Sequence, residues 1–183
     1  MPIYDFDGAV HTEVGKLFDF DGTAKHQIGR VYDHDGTAAA LLYSGETAFF
    51  NSGAAVPFST YEYQADVNIG STIQINHGAQ DVGWGAAWTT DKQDLSGASK
   101  VTFTFDSVNN KGNCVLRVGV GLDTGSSLNP FAGTGFVKYV DISTAGTYSV
   151  DVSDLTGDYY ISMAQNSSTA AYSNSTCTKI IAE

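Results

Sequence analysis

Three Asp-x-Asp-Gly groups, Asp5-Phe6-Asp7-Gly8, Asp19-Phe20-Asp21-Gly22 and Asp33-His34-Asp35-Gly36, each set two carboxylates around one residue and ahead of a glycine. That pattern suits a calcium loop of the EF-hand kind, in which the glycine holds the sixth place. The register argues against it. The first ligand place then falls on Ile3, Leu17 and Val31, and the last on Val14, Ile28 and Leu42, none of which offers a side-chain oxygen. Only a looser site shared between chains would fit the carboxylates, and no metal is expected. Asp-Gly is also the strongest short-range signal for a two-residue hairpin turn, because glycine takes positive φ freely and aspartate tolerates it. Turns are therefore expected at Asp7-Gly8, Asp21-Gly22 and Asp35-Gly36.

A second chemistry is offered by Asp81-Val82-Gly83-Trp84-Gly85-Ala86-Ala87-Trp88, which holds both tryptophans of the chain. Trp84 and Trp88 could stack on the apolar faces of saccharide rings, with Asp81 holding hydroxyls, and the glycines beside Trp84 would leave its ring room to be approached. Alternation puts Trp84, Ala86 and Trp88 on one side of a strand, which equally describes a core. Catalysis finds less support. His11, His26 and His34 belong to the repeat, and neither they nor His77 adjoin a Gly-x-Ser-x-Gly nucleophile motif. A carboxylate pair such as Asp91 and Asp141 could serve a glycosidase, but sequence does not fix its separation. Cys114 and Cys177 match no metal spacing and are expected as free thiols in a core, with a disulfide left open. No enzyme activity and no cofactor are expected.

The elements that must position these groups are of two kinds. The Asp-Gly groups belong to a unit that recurs every 14 residues, Asp7 to Asp21 to Asp35, with the flanks Val14-Gly15-Lys16 and Ile28-Gly29-Arg30 also alike. Along the second unit Val14, Lys16, Phe18 and Phe20 would face one side, Gly15, Leu17, Asp19 and Asp21 the other, so neither face is purely apolar. Strands this short cannot bury enough surface alone. Residues 1–46 are therefore expected to be a short β-hairpin repeat that attaches or oligomerises through Tyr4, Phe18 and Tyr32. The alternative is that it packs on the rest of the chain. A linker is expected at 47–58 with a boundary near Pro57, and 59–183 as a jelly-roll-like β-sandwich, making the whole chain all-β.

About eight strands are expected there. They are Ile69 to Asn76, Gly85 to Thr90, Lys100 to Asp106, Asn113 to Gly121, Phe136 to Ile142, Thr147 to Val152, Tyr159 to Ala164 and Thr176 to Ala182. Val101, Phe103 and Phe105 should face inward on one, and Cys114, Leu116, Val118 and Val120 on the next. A turn is expected at Val108-Asn109-Asn110-Lys111-Gly112. In this 183-residue chain a net charge of -11 disfavours nucleic acid and anionic membrane as partners. No apolar run reaches bilayer length, and the N-terminus lacks the basic and apolar regions of a signal peptide. Asn166-Ser167-Ser168 and Asn174-Ser175-Thr176 match a glycosylation pattern but read as polar loop.

The repeat, with the stretch from Thr147 to Ser162 and the closing Thr178-Lys179-Ile180-Ile181-Ala182-Glu183, resembles virion proteins of tailed phages and prophages of Gram-positive hosts. Thr90-Asp91-Lys92-Gln93-Asp94-Leu95-Ser96 resembles the segment entering a central strand of their sandwich, which is similar to carbohydrate-binding modules. The resemblance implies a non-enzymatic structural or adhesion role in tail, baseplate or fibre, or as a head decoration. It also implies other virion proteins as partners, assembly in the host cytoplasm, a homo-oligomer taken as a trimer, and host-surface glycan as candidate ligand.

Overall fold

In this computed structural model the described residues are the strands of residues 4–44, as backbone, and residues 46–183 apart from 79–82, 112–113, 131–133 and 168–172. The chain divides into two compact units, Met1–Thr47 and Ala48–Ala182. In the first, each repeat forms one antiparallel hairpin that is a two-stranded sheet by itself. β1 (Tyr4–Phe6) pairs with β2 (His11–Glu13), β3 (Leu17–Phe20) with β4 (Lys25–Ile28), and β5 (Arg30–His34) with β6 (Ala39–Ser44).

The pairs that flank the turns are Phe6↔His11, Phe20↔Lys25 and His34↔Ala39. The turns expected at Asp7-Gly8, Asp21-Gly22 and Asp35-Gly36 lie outside the described residues. Tyr4, Phe18 and Tyr32 hold equivalent register positions, opposite Glu13, Gln27 and Leu41.

The second unit is a β-sandwich. Its strands are β7 (Thr47–Asn51), β8 (Phe58–Tyr63), β9 (Asp66–Ile69), β10 (Ile73–His77), β11 (Trp84–Thr89), β12 (Gln93–Asp94), β13 (Lys100–Asn110), β14 (Leu116–Gly121), β15 (Phe136–Ile142), β16 (Gly146–Asp151), β17 (Asp158–Asn166) and β18 (Ser173–Ala182). One sheet runs β16-β13-β18-β10-β9, with β7 also paired to β18, and the other β15-β14-β17-β11-β8, with β12 paired to β17. The expected all-β, jelly-roll-like class is what the chain forms. Alternation explains the layers: Val101, Phe103 and Phe105 of β13, Leu116, Val118 and Val120 of β14, Ile161 and Met163 of β17, and Ile73 and Ile75 of β10 fill one buried core between the sheets. Thr102 and Thr104 point outward and bond Ser149 and Thr147 across the strands at 3.0 and 3.2 Å.

Strands β8 and β12 were not expected, several strand ends are displaced, and three differences are larger. Residues 47–58 are not a linker: β7 lies there, with Phe49 2% and Phe50 0% exposed, and the unit boundary falls at Thr47, well before Pro57. Those two aromatics sit in a Gly- and Ala-rich passage, where their local pattern is too short to reveal a strand. Ile69 to Asn76 is two strands, β9 and β10, separated where Gly70 N donates to Thr72 O at 3.0 Å. The turn expected from Val108 is absent among the described residues, because β13 continues to Asn110 with Asn110 paired to Ser173. Cys114 and Cys177 are free and buried as expected, and burial pushes the Cys177 thiol up to about 12. Asn166 and Asn174 lie in strands β17 and β18 instead of loops, and Asn166 is buried.

Candidate functional site

The outward face of the β15-β14-β17-β11-β8 sheet is set by the same alternation that builds the core. With Leu116, Val118 and Val120 turned inward, Arg117, Gly119 and Gly121 of β14 face out. The pairing then aligns two rows across the strands. One reads Tyr139, Gly119, Ser162, Trp88 and Ser59, and the other Asp141, Arg117, Ala164, Ala86 and Tyr61. Small residues lie between Tyr139 and Trp88 in the first row and between Arg117 and Tyr61 in the second. Tyr139 is 49% exposed and Tyr63, beyond Tyr61 on β8, 53%. Trp88 is partly exposed, as is Tyr160, whose ring lies 5.5 Å from Lys92 Nζ. Tyr139 and Trp88 lie three strand spacings apart, about 14 Å at roughly 4.8 Å per spacing.

The two tryptophans have different parts. Trp84 is 8% exposed and stacks on Tyr61, with ring centroids 4.4 Å apart and planes at 17°. Leu128 of a short 3-10 turn (Gly125–Leu128) and Phe136 pack in the same cluster with Ala86 and Ala164. Glycines allow this cover to come close, since a Cβ on Gly121 would overlap Gly135 O and one on Gly135 would overlap Ser127 O. The glycines beside Trp84 serve packing, not ligand approach. A Cβ on Gly83 would overlap Tyr63 O, and one on Gly85 would meet Val67 Cγ2 at 2.7 Å. Trp84 therefore supports the face and Trp88 is the tryptophan presented on it. Asp81 lies outside the described residues.

Charge on the face is paired. Arg117 donates from Nε to Asp141 Oδ1 at 2.7 Å and from Nη2 to Oδ2 at 2.9 Å, a two-pronged contact. The hydrogen-bonded Asp141 carboxylate raises the Arg117 guanidinium above its ordinary value, against the opposing effect of burial. Ser162 Oγ, in a residue 1% exposed, has no hydrogen-bond partner among the described residues. The carboxylate pair Asp91 and Asp141 does not form a glycosidase dyad. Asp141 is on β15 and Asp91 just past β11, at least about 14 Å away, whereas such pairs lie about 5 to 9.5 Å apart. His77 is buried and its Nε2 lies 3.0 Å from Gln165 O.

Sequence reasoning missed Tyr61, Tyr63, Tyr139, Tyr160 and Arg117. The tyrosines do alternate with polar residues, in Ser59-Thr60-Tyr61-Glu62-Tyr63 and in Lys138-Tyr139-Val140-Asp141. Only the strand order shows that they share a face with Trp88.

No family model matches the chain, and no curated protein matches it. Solved structures that resemble it include a carbohydrate-binding module of family 29 (TM-score 0.42, 14% identity, 75% of this chain and 86% of that one). Another is a family 29 module from Piromyces equi (TM-score 0.45, 8% identity, 75% and 88%). A third is a family 29 module complexed with cellulohexaose (TM-score 0.41, 12% identity, 75% and 89%). The virion resemblance stands on the repeat and strand motifs alone.

Proposed function

We propose that this chain is a non-catalytic glycan-binding protein whose sandwich takes a linear saccharide across the outer face of the β15-β14-β17-β11-β8 sheet. The observation that carries this reading is the row from Tyr139 through Gly119 and Ser162 to Trp88: one exposed and one partly exposed aromatic ring on the same face, separated by two small residues that are themselves buried. Sugar rings offer apolar C–H faces to aromatic rings and hydroxyls to neighbouring polar groups, which is the mixture found here. The face's buried cation is neutralised by Asp141 and the chain carries a net charge of -11, so neutral sugars are favoured over polyanions. Asp141, held at both oxygens by Arg117, is poorly placed to act as a general acid or base. Titration calorimetry with cellulohexaose and mannohexaose, the ligands named in two similar structures, tests the reading together with a panel of neutral glycans. Saturable heat with at least one is expected. Silence across the panel at millimolar concentration would discard it.

Within the same proposal the repeat displays the sandwich, attaching it to a larger assembly or to further copies of the chain, as the virion resemblance implies. A fibre, tail, baseplate or decoration setting, and a trimer, belong to this reading. Each hairpin is a sheet of only two strands, and such hairpins are marginal in water by themselves. Three equivalent aromatics, Tyr4, Phe18 and Tyr32, then offer equal anchors, each able to bury about 150 to 250 Å². Light scattering on the triple alanine variant is expected to show a smaller particle than the parent. An unchanged mass for parent and variant, both above that of one chain, would remove these three residues as anchors.

A further inference from the structure

We infer that Arg117 is a positioning residue for the exposed ring of Tyr139, fixing it as a flat platform on the face. This rests on the glycan reading only for its purpose, since the geometry stands without a ligand. Arg117 Cζ lies 3.8 Å from the centroid of the Tyr139 ring. The arginine side chain is 10% exposed, while the residue carrying the ring is 49% exposed, so one side of the ring meets the guanidinium and much of the rest meets solvent.

A buried cation beside Gly119 and Ala164 is costly unless it is paired. The two-pronged contact with Asp141 supplies the pairing and also fixes the guanidinium plane. Asp141 and Tyr139 stand two apart on β15 and so share its outer face. Arg117 pairs directly with Asp141, and Tyr139 is its diagonal neighbour, opposite Gly119. No side chain can grow at Gly119, because a Cβ there would overlap Lys138 O and lie 2.9 Å from Tyr139 Cβ. The ring therefore has a clear path to lean over the arginine. Phe136 meets the ring edge-on, with centroids 6.2 Å apart and planes at 65°. Neutralisation by Asp141 has a second effect: an unpaired cation behind the ring would draw electron density from the face left for a ligand.

A tyrosine on an edge strand otherwise samples several rotamers, and ordering it on binding costs affinity. Loss of the clamp should thus weaken saccharide binding by roughly 2- to 12-fold, the range for immobilising one side chain. Two readouts on the full chain decide the matter. The first needs no ligand: the Arg117 Nε–H resonance, shifted by the ring current of Tyr139, is expected to return to an ordinary position in Tyr139→Leu. An Nε–H shift that is the same in parent and Tyr139→Leu would overturn the inference. The second is calorimetry with mannohexaose or cellulohexaose. Tyr139→Ala should weaken binding most, Arg117→Met by the range above with a larger entropic penalty, and Arg117→Lys, which keeps charge without the fork, by less. Arg117→Met binding like the parent while Tyr139→Ala is weakened would also overturn it. If Arg117→Met does not fold, Arg117→Lys and Tyr139→Leu carry the comparison. A parent that binds no saccharide refutes the glycan reading and leaves the resonance to decide the clamp.

Discussion

A chain beginning at Glu46 is expected to fold with the cooperative melt of the full sandwich, and one beginning at Pro57 to melt some 10 to 20 °C lower. The difference is β7. Phe49 and Phe50 are buried in the inter-sheet core, and Phe50 meets Phe58 edge-on with centroids 6.1 Å apart. Burying a phenylalanine contributes about 1.5 to 3 kcal/mol, so losing both removes roughly 3 to 6 kcal/mol. Typical domain stability is only about 5 to 15 kcal/mol. For a unit of this size each kcal/mol moves Tm by about 3 to 4 °C. Partly buried Val56, which packs on the same core, is lost as well. Differential scanning calorimetry of the two truncations makes the comparison. Equal melting temperatures would mean that β7 is not part of the sandwich.

The two tryptophans should separate stability from binding. Trp84→Ala removes a nearly buried ring stacked on Tyr61 and covered by Leu128 and Phe136, and is expected to cost about 3 to 5 kcal/mol of stability. Trp88→Ala removes a partly exposed ring at the end of the Tyr139 row and should destabilise far less. Its effect should appear in binding, where loss of a tryptophan anchor typically exceeds 2 kcal/mol, or about 30-fold in Kd. Urea unfolding and calorimetry on both variants give the four numbers needed. Binding lost in Trp84→Ala at a concentration where it remains folded, together with unaltered binding in Trp88→Ala, would reverse the assignment.

The strands that could be read from sequence were those with a long alternation and an unbroken apolar side. Val101-Thr102-Phe103-Thr104-Phe105 needs no tertiary information to be placed, and Phe136 to Ile142 was bounded correctly. β7 was invisible because two adjacent phenylalanines carry no period, and both are buried. β9 and β10 merged because Gly70-Ser71-Thr72 is a weak break within a run rich in β-formers. At the site, the pattern identified the pair Trp84 and Trp88 but not which ring is free. That depends on Tyr61 and Leu128, which are distant in sequence and reach Trp84 only through the sheet order and the glycine contacts beneath the 3-10 turn. Arg117 gave no signal in the sequence, because Asp141 and Tyr139 become its neighbours only through the β14–β15 register.

β18 lies between β13 and β10 and also pairs with β7, so the first and last strands of the sandwich are neighbours in one sheet. Most of this sheet cannot close until the last strand of the sandwich is available. During synthesis the earlier strands must wait with their edges unpaired, which makes this a slow-folding, high-contact-order topology. The same adjacency makes the sandwich a candidate for circular permutation. Joining the end of β18 to the start of β7 through a short polar linker, and opening the chain at the exposed Ser143-Thr144-Ala145 turn, would turn the last-made strand into an internal one. Such a permutant would have β16, β17 and β18 in place before β7 emerges, and it offers a way to change the order of folding while the outer face of the other sheet stays as it is.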